Sequence, residues 1–168
     1  MVMNVSAKQF TIEYDIVMDK YADMVYRIVF TITGNEEDAK DAFQETFLRL
    51  VKNREKIKDE EHLKAWLIRV ASNCAKTIVM NPWNKRTQGL DTVMEQTAGV
   101  TEENLVLQEV QKLSPNYSLP IYLFYYEGYS IKEIAQVLKK NENSVKTLLS
   151  RGRKTLQKKL EEEGYRFG

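Results

Sequence analysis

Apolar residues recur at intervals of three and four along most of the chain, the spacing that places them on one face of an α-helix. The first half holds three such segments, at about residues 10–33, after Asn35, and from about Asp59 onward. Gly34 and Asn35 predict a helix stop followed by an N-cap. Pro82 predicts the end of the third helix, because the residue before a proline is driven out of helical conformation. The second helix is predicted to bury Ala39, Phe43, Phe47, Leu50 and Val51.

The periodic pattern fades between about residues 87 and 101, where Gly89, Gly99 and many polar residues interrupt it. Helical spacing resumes near Leu105, and no segment shows the sustained alternation of a half-buried strand. We therefore predict an all-α fold of two small helical modules joined by a flexible linker. The predicted boundaries are residues 1–87 for the first module, 88–104 for the linker and 105–168 for the second module.

The second module contains a helix-turn-helix pattern. Ser130 followed by Glu133 forms a capping box at the start of one short helix, and a turn at residues 139–141 leads into a basic second helix. Ala135 is small enough for a close helix crossing. The second helix of such a motif lies in the DNA major groove. Its candidate base-reading residues are Lys146, Thr147, Ser150 and Arg151, and its candidate phosphate contacts are Arg153 and Lys154.

Charge supports this interpretation through its distribution. The whole chain carries a net charge of +1, but residues 139–159 hold eight basic residues against one acidic residue, a local net charge of +7. A basic helix in a balanced chain is typical of a phosphate-binding surface. On charge alone, an ordinary solvated helix face explains the stretch equally well.

Enzymatic chemistry finds little support in the composition. The chain has one histidine, His62, and one cysteine, Cys74, so neither an intramolecular disulfide nor a Cys/His metal motif is available. We predict no enzymatic activity, no small-molecule substrate, no cofactor and no metal. The longest apolar runs are far shorter than a membrane span, and no signal-peptide pattern is present. We therefore expect a cytoplasmic protein with no direct membrane insertion.

Three stretches resemble parts of the extracytoplasmic-function (ECF) sigma factors of the sigma-70 family. Residues 117–160 are similar to the family's C-terminal module, which reads the minus-thirty-five promoter element. Residues 21–51 are similar to its N-terminal module and carry the pattern DAxDxxQExF at residues 38–47. Residues 66–71, WLIRVA, followed by Asn73, match the family's helix that leads into minus-ten recognition.

The resemblance implies partners and roles for particular residues. It implies binding to promoter DNA and to RNA polymerase core, through the β′ clamp helices and the β flap, and inhibition by an anti-sigma factor. The residues implied to dock on core polymerase are Asp38, Asp41, Gln44, Glu45 and Arg49. The residues implied to contact the minus-ten element are Asn73, Lys76, Thr77, Lys85 and Arg86.

The chain departs from the family pattern at positions that leave its promoter sequence open. Thr77 stands where an aspartate is frequent, Leu148 replaces a common arginine, and Lys139 and Asn143 occupy turn positions where small residues are usual. Two alternatives therefore remain. One is a stand-alone helix-turn-helix regulator, which would bind duplex DNA without polymerase. The other is a degenerate sigma factor that only binds core polymerase.

Overall fold

The computed structural model describes residues 10–81 and 102–164, and these residues form helices without any strand. Among the described residues, three helices belong to the N-terminal module and four to the C-terminal module, which confirms the predicted all-α class. A single 3₁₀ turn, Arg54–Lys56, lies between the second and third helices. The helices are α1 Tyr14–Thr33, α2 Glu36–Asn53, α3 Glu60–Val79, α4 Glu102–Gln111, α5 Pro115–Tyr125, α6 Ile131–Leu138 and α7 Glu142–Glu162. Since α4 begins at Glu102, its first turn falls within the stretch predicted as linker.

Local sequence determines where the helices of the N-terminal module begin and end. Gly34 ends α1 in the left-handed conformation, with φ of 72°. The Asn35 side chain then accepts a hydrogen bond of 2.8 Å from the Asp38 amide and caps α2, as predicted. Asp59 caps α3 in the same way, accepting from the His62 amide at 2.7 Å. These caps satisfy amide groups that the first helical turn leaves without intrahelical partners.

The N-terminal module is a three-helix bundle in which each helix contacts the other two. Its core is formed by fully buried aliphatic side chains, among them Val25, Ile28, Leu63 and Leu67. The prediction for α2 was partly wrong. Ala39 and Leu50 are buried as expected, but Phe43 and Phe47 are only half-buried and Val51 is 48% exposed. The buried stripe instead includes Ala42 and Thr46.

In the C-terminal module, α6 and α7 form the predicted helix-turn-helix. Both hydrogen bonds of the capping box are present: Glu133 N–H donates to Ser130 Oγ at 3.1 Å, and Ser130 N–H donates to Glu133 Oε2 at 2.9 Å. Asn141 caps α7 by accepting from the Ser144 amide at 2.7 Å. Val145, Leu149 and Leu160 bury the inner face of α7. Ala135 of α6 is buried, and α6 contacts α7.

A second close approach in this module was not predicted. Gly152 of α7 lies against α5, and a Cβ atom added to it would lie 2.6 Å from Ile121 Cδ1 and 3.1 Å from Tyr117 Cβ. Ile121 is fully buried, so its side chain has little room to move. Gly152 therefore sets the distance between α5 and the helix that is predicted to read DNA.

Lys139 has a positive φ of 54°, a conformation that among the described residues is otherwise found only at glycines. It lies in the turn of the helix-turn-helix. Its amide and that of Lys140 donate to carbonyls of the last turn of α6. This is the helix ending at which glycine is usual, because a side chain in the left-handed region costs ~1–2 kcal/mol.

We expect Lys139→Gly to stabilise the C-terminal module by about 0.5–1 kcal/mol. Glycine removes the backbone strain of the left-handed conformation, and the free energy of that strain exceeds the entropic cost of ordering a glycine on folding. Chemical denaturation of the full chain measures this change. Lys140→Gly is the matched control: Lys140 lacks a positive φ, so its replacement should give no stabilisation. Equal effects of the two substitutions would contradict the argument.

The two modules also contact each other. Helix α1 packs against α4 and α5, and α3 packs against α6. Within the described part of the chain, no helix is long and apolar enough to cross a membrane, and no cluster of His, Cys, Asp and Glu side chains could hold a metal ion.

Candidate nucleic-acid and polymerase interfaces

The outer face of α7 carries three of the candidate base-reading residues and one candidate phosphate contact, Lys154. Thr147, Ser150, Arg151 and Lys154 follow the spacing i, i+3, i+4, i+7, so they share one stripe of the helix. The stripe lies opposite the buried residues Val145, Leu149 and Gly152. Three of its members are exposed and Ser150 is half-buried. The packing of the inner face therefore holds this stripe toward solvent, as major-groove reading requires.

Individual groups on this face differ in what they can offer to DNA. The Thr147 hydroxyl donates to the Asn143 carbonyl at 3.0 Å, which leaves its oxygen lone pairs and its methyl group for outside contacts. The Arg151 guanidinium is exposed and is suited to bidentate pairing with guanine. Lys146 is exposed on the flank of the stripe.

Arg153 lies away from the reading stripe. Its Nη1 donates to the Tyr125 hydroxyl of α5 at 3.1 Å. This contact links α7 to α5 and places Arg153 at the edge of a groove described below. The predicted phosphate contact of Arg153 is therefore expected on the flank of α7 and not on its outer face.

A hollow of about 520 Å³ lies at the start of α7 and was not predicted from the sequence. Helix-turn-helix proteins meet base edges with the first turns of the second helix. Asn143 and Ser144 lie in that first turn, and this position could have identified them from the sequence as candidate DNA contacts. The hollow is lined by Lys140, Asn141, Asn143, Ser144, Thr147 and Leu148.

On α3, the predicted minus-ten residues Asn73, Lys76 and Thr77 are all exposed and share one face. The Thr77 hydroxyl donates to the Asn73 carbonyl at 2.8 Å, so it stabilises the helix and has no proton left for DNA. Met80, 80% exposed, follows at the end of the helix. The other two predicted residues, Lys85 and Arg86, lie outside the described residues.

Cys74 lies on the opposite side of α3, where only 3% of it is exposed. Burial raises the pKa of its thiol. A neutral, packed thiol is unreactive, in agreement with a structural role for this residue.

The predicted docking face on α2 is mostly exposed. Asp41, Gln44 and Glu45 point to solvent, and Arg49 Nε lies 2.9 Å from Glu45 Oε1. Leu48 is 56% exposed on the same stripe, so the face combines charges with an apolar group that the sequence prediction missed. Exposed apolar side chains beside complementary charges are typical of protein interfaces.

Asp38 is the exception on α2, because only 4% of it is exposed. Asn35 Nδ2 donates to its carboxylate at 2.8 Å, which draws the side chain into the helix cap. In the unbound chain the side chain of Asp38 therefore supports the start of α2, and its role in docking stays a prediction.

The C-terminal module has a second, apolar groove of about 530 Å³ between α4, α5 and α7. Tyr125 is 52% exposed beside it. No motif in the sequence marked this groove, because its walls come from three helices that are distant in the chain. It is lined by Val106, Val110, Ile121, Tyr125, Tyr126, Arg153, Leu156, Gln157 and Leu160.

The fold and these surfaces together define a two-module helical protein with a helix-turn-helix at one end. Two family profiles match the two modules: "Sigma-70 region 2" at residues 17–80 and "Sigma-70, region 4" at residues 103–156. The chain belongs to the sigma-70 family, and its relatives place it among the ECF sigma factors.

Two Bacillus subtilis proteins illustrate the relationship. The ECF RNA polymerase sigma factor SigW is 29% identical over 162 residues, which cover 86% of this chain and 87% of SigW. The ECF RNA polymerase sigma factor SigX is 25% identical over 162 residues, which cover 88% of this chain and 84% of SigX.

The fold is also that of a solved structure, the sigma factor RpoE from Bartonella quintana in complex with the anti-sigma factor NepR. The TM-score is 0.70 at 19% identity, and the match covers 88% of this chain and 96% of that one.

Proposed function

We propose that this protein is an ECF sigma factor that binds RNA polymerase core in the cytoplasm and directs initiation at two-part promoters. It acts by binding and not by catalysis. The observation that carries the proposal is the presence of both sigma-70 regions in one chain. Region 2 is not needed in a stand-alone regulator or in a simple DNA-binding module.

In this account the N-terminal module docks on the β′ clamp helices through Asp41, Gln44, Glu45 and Arg49 of α2. Mixed charges favour a defined orientation and a fast encounter. Leu48 adds an apolar contact at the centre of the stripe. Asp38 contributes indirectly, by holding the first turn of α2.

The apolar groove of the C-terminal module is the surface we assign to the β flap. It lies away from the reading stripe of α7, so DNA and the flap can be bound at the same time. Tyr125 and Leu156 offer the aromatic and aliphatic surface that anchors a partner segment.

DNA recognition divides between the modules. Asn73 and Lys76 on α3 are assigned to the melted minus-ten strand, where an asparagine amide pairs with a base edge and a lysine holds the backbone. The stripe of Thr147, Ser150 and Arg151 is assigned to the minus-thirty-five duplex. Two weak contacts on one chain reinforce each other through effective concentration.

We also propose that an anti-sigma protein binds and inhibits this chain. The solved RpoE structure contains such a partner, NepR. Co-purification with the chain from its own cells would identify the partner.

We expect Asp41→Lys to weaken binding to core polymerase by about tenfold, a loss of ~1.4 kcal/mol, because it reverses a charge on the docking face. Binding is measured with labelled protein and purified core polymerase. Asp19→Lys on α1 is the control, since it makes the same charge change on an exposed residue outside that face. If the two variants bind core polymerase equally well, the docking face is assigned incorrectly.

A further inference from the structure

The turn of the helix-turn-helix holds a lysine in a backbone conformation that suits glycine. Lys139 ends α6 with φ of 54° and ψ of 47°, in the left-handed region. Among the described residues, the other positive φ values belong to Gly34, Gly128 and Gly164. A left-handed lysine strains the backbone, because its Cβ lies too close to the following carbonyl oxygen. Strained residues of this kind cluster at functional sites.

The fold itself makes no use of the Lys139 side chain. Backbone hydrogen bonds close the turn: the Lys139 amide donates to the Gln136 carbonyl at 3.4 Å, and the Lys140 amide donates to the Ala135 carbonyl at 2.9 Å. Glycine at position 139 would form the same bonds without strain. The Lys139 side chain is exposed, and none of the acidic residues that the structure describes forms an ion pair with it. The reason for a lysine at this position therefore lies outside the packing of the module.

A second lysine lies directly beside Lys139. Lys140 is exposed and lines the hollow at the start of α7, together with Asn143 and Thr147. The residues that line the hollow include one ammonium group, that of Lys140, and no carboxylate. The nearest acidic residue in the sequence, Glu142, is exposed in the first turn of α7 and does not line the hollow. The two lysines therefore make the rim of the hollow electropositive.

Lys140 also acts on a third cation. The pKa of Lys76 of α3 is lowered, first by partial burial and then by the positive charge of Lys140. Like charges at short range repel one another, and an anion between them removes that repulsion. The surroundings of the turn therefore favour binding of an anionic group.

Helix-turn-helix geometry places this turn at the edge of the DNA major groove. The first turns of the second helix meet base edges, so the turn that precedes them lies toward the sugar-phosphate backbone that borders the groove. The groove is only about 12 Å wide. Long lysine side chains in the turn can therefore reach phosphate oxygens while Asn143 and Thr147, which line the hollow, face the bases.

We infer that Lys139 and Lys140 form a phosphate-binding site in the turn, which holds one strand of the duplex backbone beside the hollow. This inference rests on the proposed function, because it assumes that α7 reads duplex DNA. The site adds affinity without reading sequence, since backbone phosphates are the same at every base pair. It also fixes the position of the first turns of α7 over the bases. The strain at Lys139 accompanies a phosphate contact that glycine cannot make.

Two measurements on the full chain test the site. Denaturant unfolding gives the stability, and fluorescence anisotropy of a short labelled duplex of arbitrary sequence gives the affinity at increasing salt concentration. We expect Lys139→Gly to stabilise the chain and yet to bind the duplex about threefold more weakly at low salt. The slope of log affinity against log salt concentration should become shallower by about 0.9, which corresponds to one lost phosphate contact. A turn residue with a purely structural role would not move stability and affinity in opposite directions.

Two further substitutions at position 139 separate the charge from the backbone conformation. Asparagine tolerates the left-handed region but carries no charge. Lys139→Asn should therefore weaken binding as much as Lys139→Gly does. Lys139→Arg keeps the charge and should retain both the affinity and the salt dependence of the parent. Lys140→Gln should make the slope shallower by a similar amount, because it removes the second ammonium group.

Lys56→Gln is the matched control, because Lys56 is an exposed lysine in the 3₁₀ turn of the other module. Its loss should leave the affinity and the salt dependence unchanged. The inference is overturned if Lys139→Gly and Lys139→Asn bind the duplex as tightly as the parent, or if Lys139→Arg binds as weakly as they do. Parent binding that does not depend on salt would overturn it as well.

Failure of this inference is distinguishable from failure of the proposed function. Binding to an arbitrary duplex reports on the phosphate site without polymerase or a promoter. If the salt dependence follows the expected pattern but the protein does not support transcription, the proposed function is refuted and the phosphate site remains. If transcription succeeds while the Lys139 variants bind the duplex like the parent, the phosphate site is refuted and the function remains.

Discussion

Arg151→Ala is expected to reduce the preference for the correct minus-thirty-five element by about 5- to 150-fold, corresponding to ~1–3 kcal/mol for one bidentate contact with guanine. Arg151 is exposed at the middle of the reading stripe of α7. Its loss should affect promoters with an intact upstream element most and leave minus-ten recognition unchanged. Transcription with purified core polymerase on paired promoters, differing only in the upstream element, measures the ratio.

Lys154→Ala is the matched control for Arg151→Ala, because Lys154 is exposed on the same stripe one turn further along. A lysine that contacts phosphate contributes to affinity without reading sequence. Its loss should weaken binding to all upstream sequences by a similar factor and reduce the salt dependence by about one phosphate contact. If Lys154→Ala changes sequence preference and Arg151→Ala does not, the two assignments are reversed.

Leu149→Ala is expected to destabilise the C-terminal module by about 3 kcal/mol, because it leaves a cavity beneath α7. Leu149 is 1% exposed and lies on the inner face of the helix with Val145. Loss of this packing also frees the reading stripe from its fixed orientation, so upstream recognition should decline together with stability. Denaturant unfolding followed by circular dichroism gives the change in the free energy of unfolding.

The adjacent residue provides the control for Leu149→Ala. Leu148 has the same side chain but is only half-buried, at the edge of the hollow near the start of α7. Leu148→Ala should cost about 1 kcal/mol or less. Equal losses for the two leucines would mean that the inner face of α7 does not carry the stability of the module.

Features encoded in a few adjacent residues could be predicted from the sequence. The Gly34 stop, the Asn35 cap and the Ser130–Glu133 capping box all lie where the sequence indicated. Each of them depends on hydrogen bonds or backbone restrictions within three or four residues. The predicted helix-turn-helix followed from the same kind of local information.

Features that depend on tertiary packing were missed. The burial of Asp38 was not predicted either, because the family motif does not reveal that Asn35 draws its carboxylate into the helix cap. Val51 was expected to be buried, but it is 48% exposed beside the fully buried Leu50. The close approach at Gly152 and the apolar groove each join helices that are distant in the chain, so no local pattern could predict them.

The most direct test of the central claim is transcription by purified core polymerase, with and without this protein, on a library of randomised upstream sequences. We predict initiation that requires the protein and starts from a defined two-part promoter. Tight binding to core polymerase without initiation would contradict the claim in favour of a factor that only sequesters polymerase. Binding to duplex DNA alone, with neither initiation nor binding to core polymerase, would contradict it in favour of a stand-alone regulator.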